Sequence, residues 1–134
     1  MLCALCVACE PSSSSPAAPI PVEGVEAAMD VTLPVGTTIL FFDASRGIDP
    51  IARSAMRMPE ARFLRWVALY DLKPSDFRGE RRYLLGPDEG HWKPTSRMGV
   101  RVSQVDLGGG SILNIGYEID EAGVATVYLM VHGT

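Results

Sequence analysis

The stretch Met58–Leu72, MPEARFLRWVALYDL, carries the clearest structural pattern in this chain. Four of its apolar and aromatic residues recur at the i, i+3, i+4 and i+7 spacing of one helix face: Phe63, Trp66, Val67 and Tyr70. Pro59 suits the first helical turn, where its missing N–H has no helical partner. Glu60 follows at the positive end of the helix dipole. The pattern predicts one amphipathic helix over residues 59–72.

Two segments with β character precede this helix, and a turn separates them. Thr37–Asp43 is β-branched and aromatic, with apolar residues on both faces, which predicts a strand inside the sheet. Ile51–Met58 is compatible with a helix or a strand, because Asp49 and Pro50 make a good helix start. Its alternation of apolar residues with arginines favours a strand that forms a hairpin with Thr37–Asp43.

Three further strands are predicted in the C-terminal part: Gly99–Leu107, Ser111–Ile119 and Val124–His132. Glycine-containing turns separate them. In the first, the apolar residues change face midway, which predicts a bulge near Ser103–Gln104. The last is apolar on both sides, which predicts a central strand. Residues 30–134 therefore read as a single α+β domain with an antiparallel sheet of about five strands and the helix 59–72 packed on one face.

The composition narrows the class of protein. A chain of 134 residues that is 47% hydrophobic is long enough for one domain with its own core. Its net charge of −4 argues against a nucleic-acid partner, because nonspecific binding to phosphates requires a basic surface. No stretch has the roughly 18 consecutive apolar residues that a membrane-spanning helix requires. We predict no catalytic residue, no metal and no cofactor.

All three cysteines lie at the N-terminus, at Cys3, Cys6 and Cys9, so a disulfide framework for the folded body is excluded. The Cys-x-x-Cys-x-x-Cys spacing would need a fourth ligand to hold a metal or an iron–sulfur cluster. His91 or His132 could supply one, but the thiols lie in an apolar run without polar neighbours to orient them.

This N-terminus resembles the end of a bacterial lipoprotein signal peptide. Val7 and Ala8 precede Cys9 as the small residues of that class do, although Cys6 stands where the class usually has Leu and no basic residue comes before it. The resemblance implies that residues 1–8 are a truncated signal-peptide-like segment and that Cys9 is lipidated. Glu10 after the cysteine implies sorting to the outer membrane, facing the periplasm.

Residues 9–29 are rich in serine and proline, with four consecutive serines at Ser12–Ser15. Such a composition predicts a disordered tether that would hold a folded domain away from a membrane surface. The alternative is an ordinary frayed chain terminus without any anchor.

The loop 86–97, GPDEGHWKPTSR, is the stretch most like a binding site. It brings together two carboxylates, an imidazole and a large aromatic ring, at Asp88, Glu89, His91 and Trp92. These residues could form a metal or acid–base site if they converge. Trp92 could instead be an exposed contact for a partner protein, or it could pack against the body while its neighbours are solvated.

One apolar residue lies on the polar side of the predicted helix. Leu69 projects between Arg62 and Arg65. Single exposed leucines are common, but together with Trp92 this one could mark a contact surface.

The body also resembles a group of small bacterial proteins without an established activity. The shared motifs are LP-x-G at Leu33–Gly36, GPD-x-G-x-W-x-P at Gly86–Pro94 and VYL-x-x-HGT at Val127–Thr134. The resemblance supports the expected fold and implies no mechanism.

These observations favour a non-enzymatic, lipid-anchored envelope domain that binds another macromolecule, such as an immunity or inhibitor protein with a periplasmic protein partner. The lipid would be its only contact with the membrane. One alternative is a small-ligand-binding, metal-binding or hydrolytic domain that uses the loop 86–97. Another is a cytosolic domain. The sequence leaves the oligomeric state open.

Overall fold

The computed structural model describes residues 19–45 and 50–133, in which five strands form one antiparallel sheet in the order β1-β2-β5-β4-β3. The predicted α+β fold is confirmed. Along the chain the helices and strands are α1 (Val22–Met29), β1 (Thr38–Ser45), β2 (Ile51–Pro59), α2 (Glu60–Ala68), β3 (Arg101–Gly108), β4 (Ser111–Ile119) and β5 (Val124–Gly133). A short 3₁₀ turn, Pro74–Asp76, and a 3₁₀ helix, Gly79–Leu85, lie between α2 and β3.

The strand β5 occupies the centre of the sheet, as its two-sided apolar pattern predicts. It pairs with β2 from Ile51 opposite His132 to Pro59 opposite Val124, and with β4 on its other side. The choice of a strand for Ile51–Met58 is confirmed as well, since β2 forms a hairpin with β1.

The prediction that Thr37–Asp43 lies inside the sheet is wrong, because β1 is an edge strand. Its apolar residues point to both faces because both faces of the sheet are covered. Phe42 packs against the helix-side core, whereas Phe41 packs against the core on the opposite side. Between Ile39 and Phe41 the register shifts, which leaves Leu40 exposed. Apolar residues on both sides of a strand therefore indicate covered faces and do not fix its position in the sheet.

The bulge predicted near Ser103–Gln104 is absent from β3, whose register to β4 is regular from Arg101 to Asp106. The irregularity lies between Asp106 and Gly108 instead. The apolar residues of β3 lie on both of its faces because both faces of the sheet are covered. Val102 packs into one core and Val105 packs against the other.

The predicted main helix is present as α2, and its buried face is the predicted one. Phe63, Trp66 and Val67 are buried against the sheet. The helix is shorter than the predicted 59–72 because Pro59 is the last residue of β2 and the chain turns after Ala68.

The prediction of a disordered tether over residues 9–29 is wrong for its last part, because Val22–Met29 forms the helix α1. Val25 and Met29, one helical turn apart, are fully buried in the helix-side core. Burial of these side chains supplies the stabilisation that a short isolated helix lacks. Asp30, at φ 57°, ends the helix in the left-handed conformation. The segments 1–8 and 9–18, including Cys9, lie outside the described residues.

The face of the sheet opposite the helices is covered by the 3₁₀ helix and the loop 86–97. A second core lies between them and the sheet, formed by Ala55, Leu85, Trp92, Val100, Val102 and Tyr128. The domain therefore has three layers, and the sheet is buried on both sides. Among the helices of the described residues, none combines the length and the apolar character that a membrane crossing requires.

Candidate functional site

Trp92, the residue predicted as a partner contact in the loop 86–97, has no exposed surface. Its Nε1 donates a hydrogen bond to the carbonyl oxygen of Leu85 at 2.9 Å. The ring meets Tyr128 edge-on, with the ring centres 5.8 Å apart. Trp92 therefore holds the loop onto the sheet. Of the alternatives left open for it, packing against the body is confirmed, and exposed contact with a partner is wrong.

Asp88 closes the loop on itself. Its carboxylate accepts hydrogen bonds from the backbone N–H groups of Thr95 at 2.9 Å and Ser96 at 3.2 Å. Desolvation by burial raises the pKa of Asp88, but the interaction with the Ser96 hydroxyl, these two backbone hydrogen bonds and the nearby Lys93 ammonium together outweigh that effect and lower the pKa below its usual value. A carboxylate with a lowered pKa that is already hydrogen-bonded is poorly suited to act as a general base near neutral pH.

Glu89 fastens the loop to the sheet through Arg53. The two guanidinium nitrogens of Arg53 pair with Glu89 at 2.8 Å and with Asp43 on β1 at 2.7 Å. The same guanidinium lies 5.6 Å from the centre of the Trp92 ring, within the range of a cation–π contact. The charged groups of this region are thus engaged with one another.

His91 is exposed, and within the described residues no hydrogen bond or ion pair joins it to Asp88 or Glu89. The same part of the chain contains no group of three or more His, Cys, Asp or Glu residues placed to hold a metal ion. A cleft of about 320 Å³ lies beside the loop, and its charged lining is the paired set Arg53, Asp43 and Glu89. The loop therefore lacks the convergence that the metal or hydrolytic interpretation requires.

A different surface has the features of a binding site: an open groove of about 370 Å³ along the outer side of α2. We call it the α2 groove. It is lined by Thr32, Leu33, Pro34, Val35, Arg62, Arg65, Trp66 and Leu69. One wall is the segment 32–35 before β1, and the other is the outer face of α2 and the residue that follows it.

Two large apolar side chains project from the walls of the α2 groove into solvent. Val35 is 80% exposed and Leu69 is 79% exposed. The exposure expected for Leu69 is confirmed, but its pairing with Trp92 is wrong because Trp92 is buried. In the groove, Leu69 shares the lining with Val35. The sequence did not single out Val35, because the two residues are far apart in the chain and only the packing of the segment 32–35 against α2 brings them to the same cleft.

Two hydrogen bonds hold the walls of the groove together. The Nε1 of Trp66 donates to the carbonyl oxygen of Thr32 at 2.5 Å. A guanidinium nitrogen of Arg62 donates to the carbonyl oxygen of Val35 at 2.6 Å. Because both bonds join α2 to the segment 32–35, the groove exists before any partner binds, which lowers the entropic cost of binding.

The groove carries opposite charges at its two ends. Arg62 and Arg65 lie at the end nearer the start of α2. A second cleft, of about 330 Å³, shares Trp66 and Leu69 with the groove and adds Glu26, Asp30 and Tyr70 at the other end. Burial and the neighbouring Asp30 carboxylate raise the pKa of Tyr70.

Comparisons of the chain with protein-family models, with curated proteins and with solved structures found no match.

Proposed function

We propose that this protein is a non-enzymatic domain of the bacterial cell envelope that binds another protein through the α2 groove. The observation that carries the proposal is the pair Val35 and Leu69, whose exposed side chains flank a preformed cleft above Trp66. Apolar side chains that border a preformed cleft mark a contact surface more often than scattered exposed residues do. An immunity or inhibitor protein is one specific form of this function.

The proposed location rests on the N-terminal sequence. Lipidation of Cys9 would attach the domain to the outer membrane, on the side that faces the periplasm. Because α1 begins at Val22, a tether from Cys9 would be shorter than the predicted 9–29, and α1 would lie closer to the membrane.

The location can be tested by comparing the native protein with Cys9→Ser. We expect the native protein to lose its first eight residues, to gain the mass of a diacylglyceryl group and to sediment with the membrane fraction. The serine variant should keep its full mass and remain soluble. Two soluble, unmodified proteins would exclude lipidation and support the cytosolic alternative.

The binding function can be tested by crosslinking in living cells. A photoreactive amino acid replaces Leu69 in the groove in one variant and Met98, which is 81% exposed and lies outside the groove, in a matched control. We expect a discrete crosslinked product that contains a second protein from position 69 and none from position 98. Equal labelling from both positions, or none from position 69, would contradict the proposed function.

A further inference from the structure

The α2 groove has the shape and charge for one class of occupant. We propose that it binds a short amphipathic segment of the partner protein, with a large apolar side chain over Trp66 and Leu69 and acidic residues at the end that faces Arg62 and Arg65. This inference rests on the proposed function and names the chemistry of the partner.

The apolar residues that line the middle of the groove require an apolar side chain in the bound segment. The ring of Trp66 is almost entirely buried and lines the same cleft as the exposed side chains of Val35 and Leu69. A volume of about 370 Å³ admits one or two large side chains. An inserted side chain would cover both exposed apolar residues and complete a small core, in the manner of an interface hot spot.

The acidic part is set by Arg65. Within the described part of the chain, its guanidinium forms no ion pair or hydrogen bond, whereas Arg53, Arg57, Arg78 and Arg97 are each paired with a carboxylate. Arg81 and Arg101 also have no carboxylate partner there, but only Arg65 among these three lines the α2 groove. Arg62 donates to a carbonyl oxygen and has further N–H donors. A chain of net charge −4 thus presents an unpaired cation beside an apolar cleft, which is complementary to a partner carboxylate.

The opposite end of the groove restricts where these acidic residues can lie. Asp30 and Glu26 border the cleft beyond Leu69. Glu26 accepts a hydrogen bond from the backbone N–H of Leu33 at 2.6 Å, which holds its carboxylate in place at this end. A segment that is acidic throughout would be repelled there, so the acidic residues belong at the arginine end and neutral or basic residues at the other.

The length of the segment follows from α2. From Arg62 to Leu69 the chain advances roughly 10 Å along the helix axis, at about 1.5 Å per residue. An occupant of about two helical turns, or of three to four extended residues, spans that distance. The groove thus fits a short linear segment.

The proposal can be tested with the full chain and three fluorescent peptides of about twelve residues. All three share a Leu-Trp-Leu centre and a lysine-containing end. The other end carries Asp and Glu in the first peptide, Ser and Gln in the second, and Lys in the third. We expect fluorescence anisotropy to show binding of the first peptide at least about tenfold tighter than that of the others, with an affinity that falls as salt is added.

Two variants locate the binding. Arg65→Glu should weaken binding of the acidic peptide by about tenfold or more and strengthen binding of the lysine peptide, because the charge at the groove is reversed. Leu69→Asp should abolish binding of the acidic peptide, whereas Met98→Asp, an equally exposed site outside the groove, should leave it unchanged. Rescue by the lysine peptide shows that the Arg65→Glu protein is folded.

Equal binding of the three peptides, no binding of the acidic one, or an unchanged preference in Arg65→Glu would each overturn this inference. The crosslinking experiment reports on the proposed function independently. If position 69 still crosslinks to a protein while the acidic peptide fails to bind, the protein-binding function stands and the inferred chemistry of the partner segment is wrong.

Discussion

At the scale of single residues, neighbours in the sequence can have opposite roles. His91 and Trp92 belong to the same loop, yet His91 is exposed and Trp92 is fully buried. The Trp92 ring joins the loop to the 3₁₀ helix through its hydrogen bond to Leu85, and to the sheet through its cation–π contact with Arg53 on β2. The loop motif around Trp92 is thus explained by the packing of the second core.

We predict that Trp92→Ala lowers the free energy of unfolding by about 3–5 kcal/mol, since it removes a large buried ring and leaves the Leu85 carbonyl without its donor. His91→Ala in the same loop should change it by less than about 0.5 kcal/mol. Urea denaturation followed by circular dichroism measures both. A Trp92 variant as stable as the His91 variant would show that the ring is not part of a packed core.

Gly116 on β4 is a second residue whose size is set by packing. A Cβ built there would lie 2.7 Å from Leu85 Cδ1 and 3.2 Å from carbons of Val100 and Val102, all fully buried. We predict that Gly116→Ala lowers the free energy of unfolding by about 1–3 kcal/mol through overpacking. The midpoints of thermal unfolding of the variant and the native protein test this. Equal midpoints would contradict the close packing around Gly116.

Among the helices and strands, the sequence predicted those whose own residues carry a clear hydrophobic pattern. The periodic spacing of Phe63, Trp66 and Val67 identified α2. Apolar residues on both sides of Val124–His132 identified a strand with two covered faces, but the same pattern in Thr37–Asp43, which became an edge strand, shows that it does not fix a position in the sheet. The sequence did not identify α1, because its short apolar spacing follows a serine- and proline-rich run and depends on the sheet for its burial. The α2 groove was missed for the same reason, since the contact of the segment 32–35 with α2 is tertiary.

The helix α1 can be tested by substitutions of opposite effect. Gly24→Ala should raise the free energy of unfolding by about 0.5–1 kcal/mol, because alanine favours a helix and the added Cβ meets only Pro21, at 3.6 Å. Met29→Ala should lower it by about 2–5 kcal/mol, because the side chain is fully buried. If both variants had the stability of the native protein in urea denaturation, residues 22–29 would behave as the tether that the sequence suggested.

At the scale of the whole molecule, electrostatic contributions predict how stability depends on pH. The backbone N–H of Val124, followed by that of Ala122 and the Arg57 guanidinium, lowers the pKa of Asp120 in the turn before β5. A carboxyl group whose pKa is lower in the folded state stabilises the protein above its unfolded-state pKa. That stabilisation is lost as the pH falls through the folded-state value.

We therefore predict that Asp120→Asn is less stable than the native protein at pH 7 and that the difference shrinks from about pH 4 downward, where the native Asp120 becomes protonated. Glu121→Gln, in the same turn, serves as the control for the loss of one negative charge. Urea midpoints measured across this pH range test the prediction. A difference between Asp120→Asn and the native protein that stays constant with pH would contradict it.

The central position of β5 has a consequence for synthesis of the protein. The hairpins β1–β2 and β3–β4 leave the ribosome earlier, but β5 joins them, because it lies between β2 and β4. Until residues 124–133 emerge, each hairpin presents an unpaired inner edge and the two cores cannot form. The sheet must therefore form after β5 has been translated, and the interval before that is when these residues are most open to aggregation and to capture by chaperones.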